Sequence, residues 1–108
     1  MANTFKNYLS KDVGTSAATV YTCPSATQTT VIGLSAANTT NGVITCDAYI
    51  TSGGTDYYLI KNATIPVGSS LVIVGGDQKV VMEAADVLKV VTSVAASADV
   101  VCSVLEIG

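Results

Sequence analysis

The 108-residue chain contains no histidine, no arginine and no tryptophan, and its only phenylalanine is Phe5. Without histidine it lacks the usual general base near neutral pH and the usual nitrogen ligand of zinc. Without arginine it lacks the planar fork that grips phosphate. Charge is scarce as well: Asp, Glu and Lys make up 12% of the residues, against about 25% in an ordinary soluble domain. The formal net charge of −3 repels the phosphate backbone, whose neutralisation by cations supplies most non-specific nucleic-acid affinity. Hydrolase triads, Cys2His2 zinc sites and nucleic-acid partners therefore fall outside expectation, and no cofactor is expected. The start, Met1 to Asn7, carries no apolar stretch of leader length, and apolar runs elsewhere are broken by Gly, Thr or Asp well short of about 18 residues. No secretory leader, spanning helix or membrane partner is expected.

What remains is Val, Thr, Ser, Ala and Gly, with 49% hydrophobic residues. β-Branched and small side chains suit pleated sheets. The length fits one domain, residues 1–108, and a domain this small buries only about 60–70% of its unfolded surface, so it packs one tight core or leans on other chains.

The periodicity is that of strands. From Val43 to Thr51, Ile44, Cys46, Ala48 and Ile50 share one face and Val43, Thr45, Asp47, Tyr49 and Thr51 the other. The Asn41-Gly42 pair ahead of it and Ser52 to Asp56 behind it read as turns, and Tyr57 to Lys61 as the next strand, which predicts a three-strand meander. Further strands are predicted at Phe5–Leu9, Thr19–Cys23, Thr29–Ser35, Ser69–Val74, Gln78–Met82, Val87–Val94 and Asp99–Ile107. Short strands with turn signals every eight to twelve residues predict an all-β antiparallel sandwich of eight or nine strands, with jelly-roll or immunoglobulin-like topology. Ala84–Lys89 and Ala95–Asp99 also read as single helical turns, too short to stand as helices. Residues 1–18 form an N-terminal arm or a loop, with Ser10 to Thr19 rich in Ser, Thr, Gly and Ala.

The groups able to do chemistry are few. Cys23, Cys46 and Cys102 have no Cys-x-x-Cys spacing and are odd in number, which fits buried reduced thiols better than a metal site; a bridge between Cys46 and Cys102 is the alternative. Gly75-Gly76-Asp77-Gln78-Lys79 matches neither phosphate-loop spacing and lies between strands, so it reads as a tight turn. Asp77, Glu83, Asp86 and Asp99 fall near turns, where carboxylates supply solubility and local hydrogen bonds. No catalytic and no metal-ligating residues are assigned, and the chain is read as non-enzymatic. Tyr49, Tyr57 and Tyr58 gather around the Ser52–Asp56 turn, and amphipathic rings of this kind serve partner interfaces and sugar-binding surfaces. Alternation sets Tyr57 and Tyr58 on opposite faces, one in the core and one exposed. The interface residues expected from these features are Phe5, Tyr8, Tyr49, Tyr57 and Tyr58.

The run Tyr57 to Leu71, then Gly75 to Lys79, Glu83 to Val87 and Ser103 to Ile107, with Lys6-Asn7-Tyr8 and Asp12 to Thr15 near the start, resembles small virion structural proteins of tailed bacteriophages, especially those of marine cyanophages. The resemblance spans nearly the whole chain and rests on strand and turn patterns. It implies a β-sandwich in a particle assembled in host cytoplasm: a head decoration protein stabilising the capsid surface, or an accessory of the neck, baseplate or tail fibre. The implied partners are the major capsid protein or tail components and further copies of the chain. The composition agrees, because charges at an interface between copies cost desolvation and return little. A carbohydrate-binding module for host attachment, reading a host glycan through Tyr49, Tyr57 or Tyr58, is the rival.

Overall fold

The computed structural model describes residues 3–108, which form nine strands and no helix. They are β1 (Asn3–Val13), β2 (Ala18–Thr22), β3 (Gln28–Asn38), β4 (Ile44–Ser52), β5 (Thr55–Ile65), β6 (Ser70–Val74), β7 (Val80–Met82), β8 (Val87–Thr92) and β9 (Ala98–Ile107). Two antiparallel sheets face each other. Sheet A runs β1-β9-β3-β6, with β7 also beside β3, and sheet B runs β2-β8-β4-β5. β6 and β7 share one position along β3, pairing Leu34–Ala37 and Thr29–Val31 respectively. The interruption between them is the Gly75–Lys79 turn, closed by Gln78 N–H donating to the Gly75 carbonyl, with Gly76 at φ 61°.

Counted this way the fold is an eight-position double Greek key in which the chain changes sheet at most of its connections, the jelly-roll order. The immunoglobulin alternative falls because β1 and β2 lie in different sheets. The expected meander is also corrected: β4 and β5 pair directly, but β3 belongs to the other sheet. The link from Asn38 to Gly42 is a corner, not a hairpin. Buried Asn38 holds it, donating through Nδ2 to the carbonyls of Gly42 at 2.8 Å and Ile65 at 3.0 Å while its Oδ1 accepts from Thr40 N–H.

Core residues come from the inward positions of both sheets, among them Val31, Leu34, Val100, Cys102 and Val104 of sheet A and Ile44, Cys46, Ala48, Leu88 and Val90 of sheet B. The face expected of β4 is the observed one, with Ile50 only partly buried as the strand runs out past the core. Both single helical turns are ordinary turns, with Ala85 and Ala96 at positive φ.

The strand expected at Phe5–Leu9 is present within a longer one, and the arm or loop expected over residues 1–18 is corrected. Instead of an arm or loop, β1 is a sheet strand along β9 from Asn3↔Ile107 to Val13↔Ala98, with a bulge between Ser10 and Val13 where Asp12 takes φ 55°. Residues 1 and 2 of that segment lie outside the described residues. Gly14 then passes so close to the β8–β9 turn that a Cβ there would lie 2.7 Å from the Ala96 nitrogen. Val13 and Gly14 carbonyls accept from Ser97 and Thr92 N–H, fastening the turn from β1 toward β2 onto the turn between β8 and β9.

Candidate functional site

Each sheet has one face in the core and one turned outward, and the outward faces differ in chemistry. On sheet A the pairing register lines up whole rows. One is Phe5–Leu105–Thr30–Val81, and a second is Leu9–Val101–Ser35–Val72. Between them lies Asn7–Ser103–Gly33. The apolar members stand in solvent: Phe5 is 73% exposed, Leu9 68%, Val72 67%, Val81 66% and Val101 46%. The outward strand positions carry no charge from the Asn3–Ile107 end until Asp99, which is neutralised by Lys11 at 2.9 Å and also accepts from Asp12 N–H; Lys6, paired with Glu106, reaches the rim beside Phe5. That ion pair and hydrogen bond hold the Asp99 carboxyl below its usual range. Beside Phe5 a shallow groove is lined by Asn7, Ile32 and Ser103, with Lys6, Tyr8 and Val104 also bordering it.

Under this face, on the inward side of the same strands, a polar cluster ties β1 and β9 to β2. Tyr21 donates to Glu106 Oε2 at 2.6 Å, so the Thr29 hydroxyl 2.7 Å away donates to the tyrosine oxygen. Lys6 Nζ is 3.2 Å from Glu106 Oε1. The tyrosine and lysine donors hold the Glu106 carboxyl below its usual range against the opposing effect of its burial. Burial, then the bond to Glu106, pushes the Tyr21 phenol up. Tyr8 packs on Tyr21 with centroids 4.8 Å apart, so this expected interface residue faces inward and helps to seat β1.

The outer face of sheet B carries the row Thr19–Lys89–Tyr49–Tyr58. Near it Lys61 lies 3.6 Å from Asp47 and 4.5 Å from the Tyr58 centroid. Tyr49 and Tyr58 stack at 4.9 Å with planes 38° apart, which buries Tyr49 almost completely. Tyr57 pairs with Ile50 on the opposite side of β5. Both Tyr57 and Tyr58 are exposed, at 59% and 47%, so the expectation that one of them enters the core is corrected. The reason is position: β5 is the edge of sheet B, and its turn-proximal half extends beyond the core. The expected residues therefore fall into three places, Phe5 on the apolar face, Tyr8 inside, and the tyrosines of β4 and β5 at the far edge of the other sheet. No coplanar pair of exposed rings results.

Most carboxylates near turns and bulges are engaged locally. Asp47 accepts from Asn62 N–H, Asp56 from Thr51 and Asp86 from Glu83 N–H. Among the described residues no three His, Cys, Asp or Glu side chains gather as a metal site. The cysteines are buried free thiols, and burial raises Cys46 and Cys102 to about 11.

Sequence reasoning missed Leu9, Ile32, Val72, Val81 and Val101. A signal was present in β9: Val100, Val101, Cys102, Val104 and Leu105 are apolar on both parities. A strand solvated on one face alternates, whereas one covered on both faces reads as a continuous apolar run.

No protein-family model matches the chain, and no curated protein matches it in sequence. Among solved structures it is similar to a chain of the Bacillus endospore appendages, described as a family of disulfide-linked pili, with TM-score 0.55 and 16% identity over 96% of this chain and 86% of that one. That likeness shows the fold. Looser superpositions link it to a pentameric capsid protein from metagenomic phage sequences (TM-score 0.43, 21% identity, 94% of this chain and 59% of that one) and to a chain of infectious bursal disease virus, Gt strain (TM-score 0.46, 12% identity, 97% and 32%). The chain thus spans just over half of the first viral chain and about a third of the second, and neither likeness bears on its role.

Proposed function

We propose that this chain is a non-enzymatic structural subunit of a phage virion, present in many copies and seated as a decoration protein on the head. The observation that carries the reading is the outer face of sheet A. A monomer seldom leaves more than a few hundred Å² of contiguous apolar surface in water, and faces of this kind mark interaction sites. The small, neutral side chains between the apolar ones allow close approach without the desolvation cost of buried charge. The sequence resemblance to tailed-phage virion proteins supplies the particle, and a compact domain without long coiled or fibrous segments, able to bridge lattice subunits, favours the head over neck, baseplate or fibre.

The endospore appendage chain of the same fold belongs to a disulfide-linked pilus. Here Cys23, Cys46 and Cys102 are all buried, so the proposed assembly is non-covalent. Glycan attachment gains no support from a face whose tyrosines stack on each other and on Lys61.

Electron cryomicroscopy of the purified particle tests the proposal. The expected result is repeated density for the nine-strand sandwich on the capsid surface, with sheet A covered. Density at the neck, baseplate or fibre transfers the chain to a tail accessory role, and particles devoid of the chain overturn the reading.

A further inference from the structure

We infer that the occupant of sheet A's outer face is a second copy of this chain, packed face to face about a two-fold axis; the inference rests on the structural-subunit reading and names its partner. The first argument is charge. The chain carries net charge −3, so two copies repel through most of their surface, and the face free of charge between Asn3–Ile107 and the Lys11–Asp99 pair is where that repulsion is least. A partner recruited by its opposite charge would find only Lys6 at the rim, already paired with Glu106.

The second argument is area. Three strands of ten or eleven residues and a fourth position shared by β6 and β7, about 4.8 Å apart and at about 3.4 Å per residue, give a flat footprint of roughly 600 Å² before side-chain relief is added. A standard interface buries about 800 Å² on each partner, so one such face, used whole, is of the size a stable pair requires. Stacked sheets pack about 10 Å apart with aligned or orthogonal strands, and two copies meeting this way build a four-layer sandwich with sheet A of each copy in the middle.

The third argument is shape. Phe5 is the most exposed large side chain of the face, and Asn7 and Ser103 of the groove lie in the adjoining row, with Ile32 at the bulge beside them. A two-fold axis between these rows sets each Phe5 in the other copy's groove, since an isologous contact is reciprocal by construction. The same contact covers the outward side of β9.

The test is sedimentation equilibrium of the purified chain, with particle incorporation followed in parallel. The wild type is expected to dimerise with a dissociation constant in the micromolar range or tighter. Phe5→Glu is expected to weaken the dimer about 30-fold or more. Leu9→Lys, a second solvent-exposed position, should do the same, while Lys89→Ala on sheet B leaves the dimer unchanged; circular dichroism checks that each variant keeps its sheet. A monomeric wild type, or an oligomer that Phe5→Glu and Leu9→Lys leave intact, overturns the inference. A monomer that still enters particles with sheet A covered sinks the second-copy partner and keeps the virion reading. A dimer that Phe5→Glu dissociates, from a chain found in no particle, does the reverse.

Discussion

The two outer faces were built from the same residue pool and came out different. On sheet B, the row Thr19–Lys89–Tyr49–Tyr58 and the Asp47–Lys61 pair give a surface water can solvate, with its rings already occupied by each other and by a lysine. On sheet A, Phe5, Leu9, Val72, Val81 and Val101 stand exposed among Asn, Ser, Thr and Gly. The difference lies in grouping: Val43, Val67 and Val94 are also exposed but stand singly at turns, whereas the five on sheet A share one face. Scattered exposed apolar residues need no explanation, but a full sheet face does.

The largest effect is expected from charging the middle of one face and not the other. Val101→Glu on β9 should reduce association about 100-fold, equivalent to about 2.8 kcal/mol, while Val91→Glu on β8 should change it less than about twofold. Sedimentation equilibrium of the purified chain measures both. Equal losses would erase the distinction between the faces.

Next comes the seam joining the sheets. Gly14→Ala forces a Cβ onto the Ala96 backbone, and overpacking of this kind costs about 1–3 kcal/mol. Thermal unfolding should register it, whereas Gly42→Ala, with open space around its Cβ direction, should be nearly silent.

The support beneath sheet A is expected to give a pH signature. Glu106 has a carboxyl held below its ordinary value near 4.5 in the folded chain, so its stabilisation is complete above that value and is lost as pH falls through the lower folded pKa. Wild-type stability should therefore decline on acidification, and Glu106→Gln should flatten that slope. Tyr21→Phe removes a donor from a buried carboxylate and should cost about 1–3 kcal/mol at neutral pH. Denaturant titrations across the acid range check both, and a slope unchanged by Glu106→Gln would remove the cluster from the account. The smallest effect belongs to sheet B: Lys61→Ala loses an exposed ion pair, and its unfolding free energy should fall by less than about 1 kcal/mol.

Strand character was legible because period-two alternation is written residue by residue, as in Ile44, Cys46 and Ala48. The two-sheet architecture followed from turn spacing. Sheet membership was not legible, because a corner such as Asn38 to Gly42 and a hairpin use the same residue types; what separates them is Asn38 reaching the carbonyl of Ile65, 27 positions away. Tyrosine drew attention to the hairpin because large rings stand out in a chain of small residues, yet Tyr49 is covered by Tyr58 and Tyr8 by Tyr21. The apolar face escaped notice because its members come from β1, β3, β6, β7 and β9 and become neighbours only through long-range pairing. Phe5, the one interface residue read from sequence that stands on it, opens the strand predicted at Phe5–Leu9, but the partner of that strand, β9, lies about 100 positions away and could not be read.

The most direct test of the claim that sheet A's outer face is the assembly surface uses introduced thiols, since the native cysteines are buried and those at 46 and 102 are also poorly ionised. Asn7→Cys places a probe in the groove beside Phe5, and Thr19→Cys places one on the other face, opposite Lys89. Maleimide labelling rates are measured for each variant on chain diluted well below the dimer's dissociation constant, and again on assembled particles. The account predicts that the Asn7→Cys rate falls about tenfold or more while the Thr19→Cys rate holds; an unchanged rate at Asn7→Cys in assembled particles contradicts it.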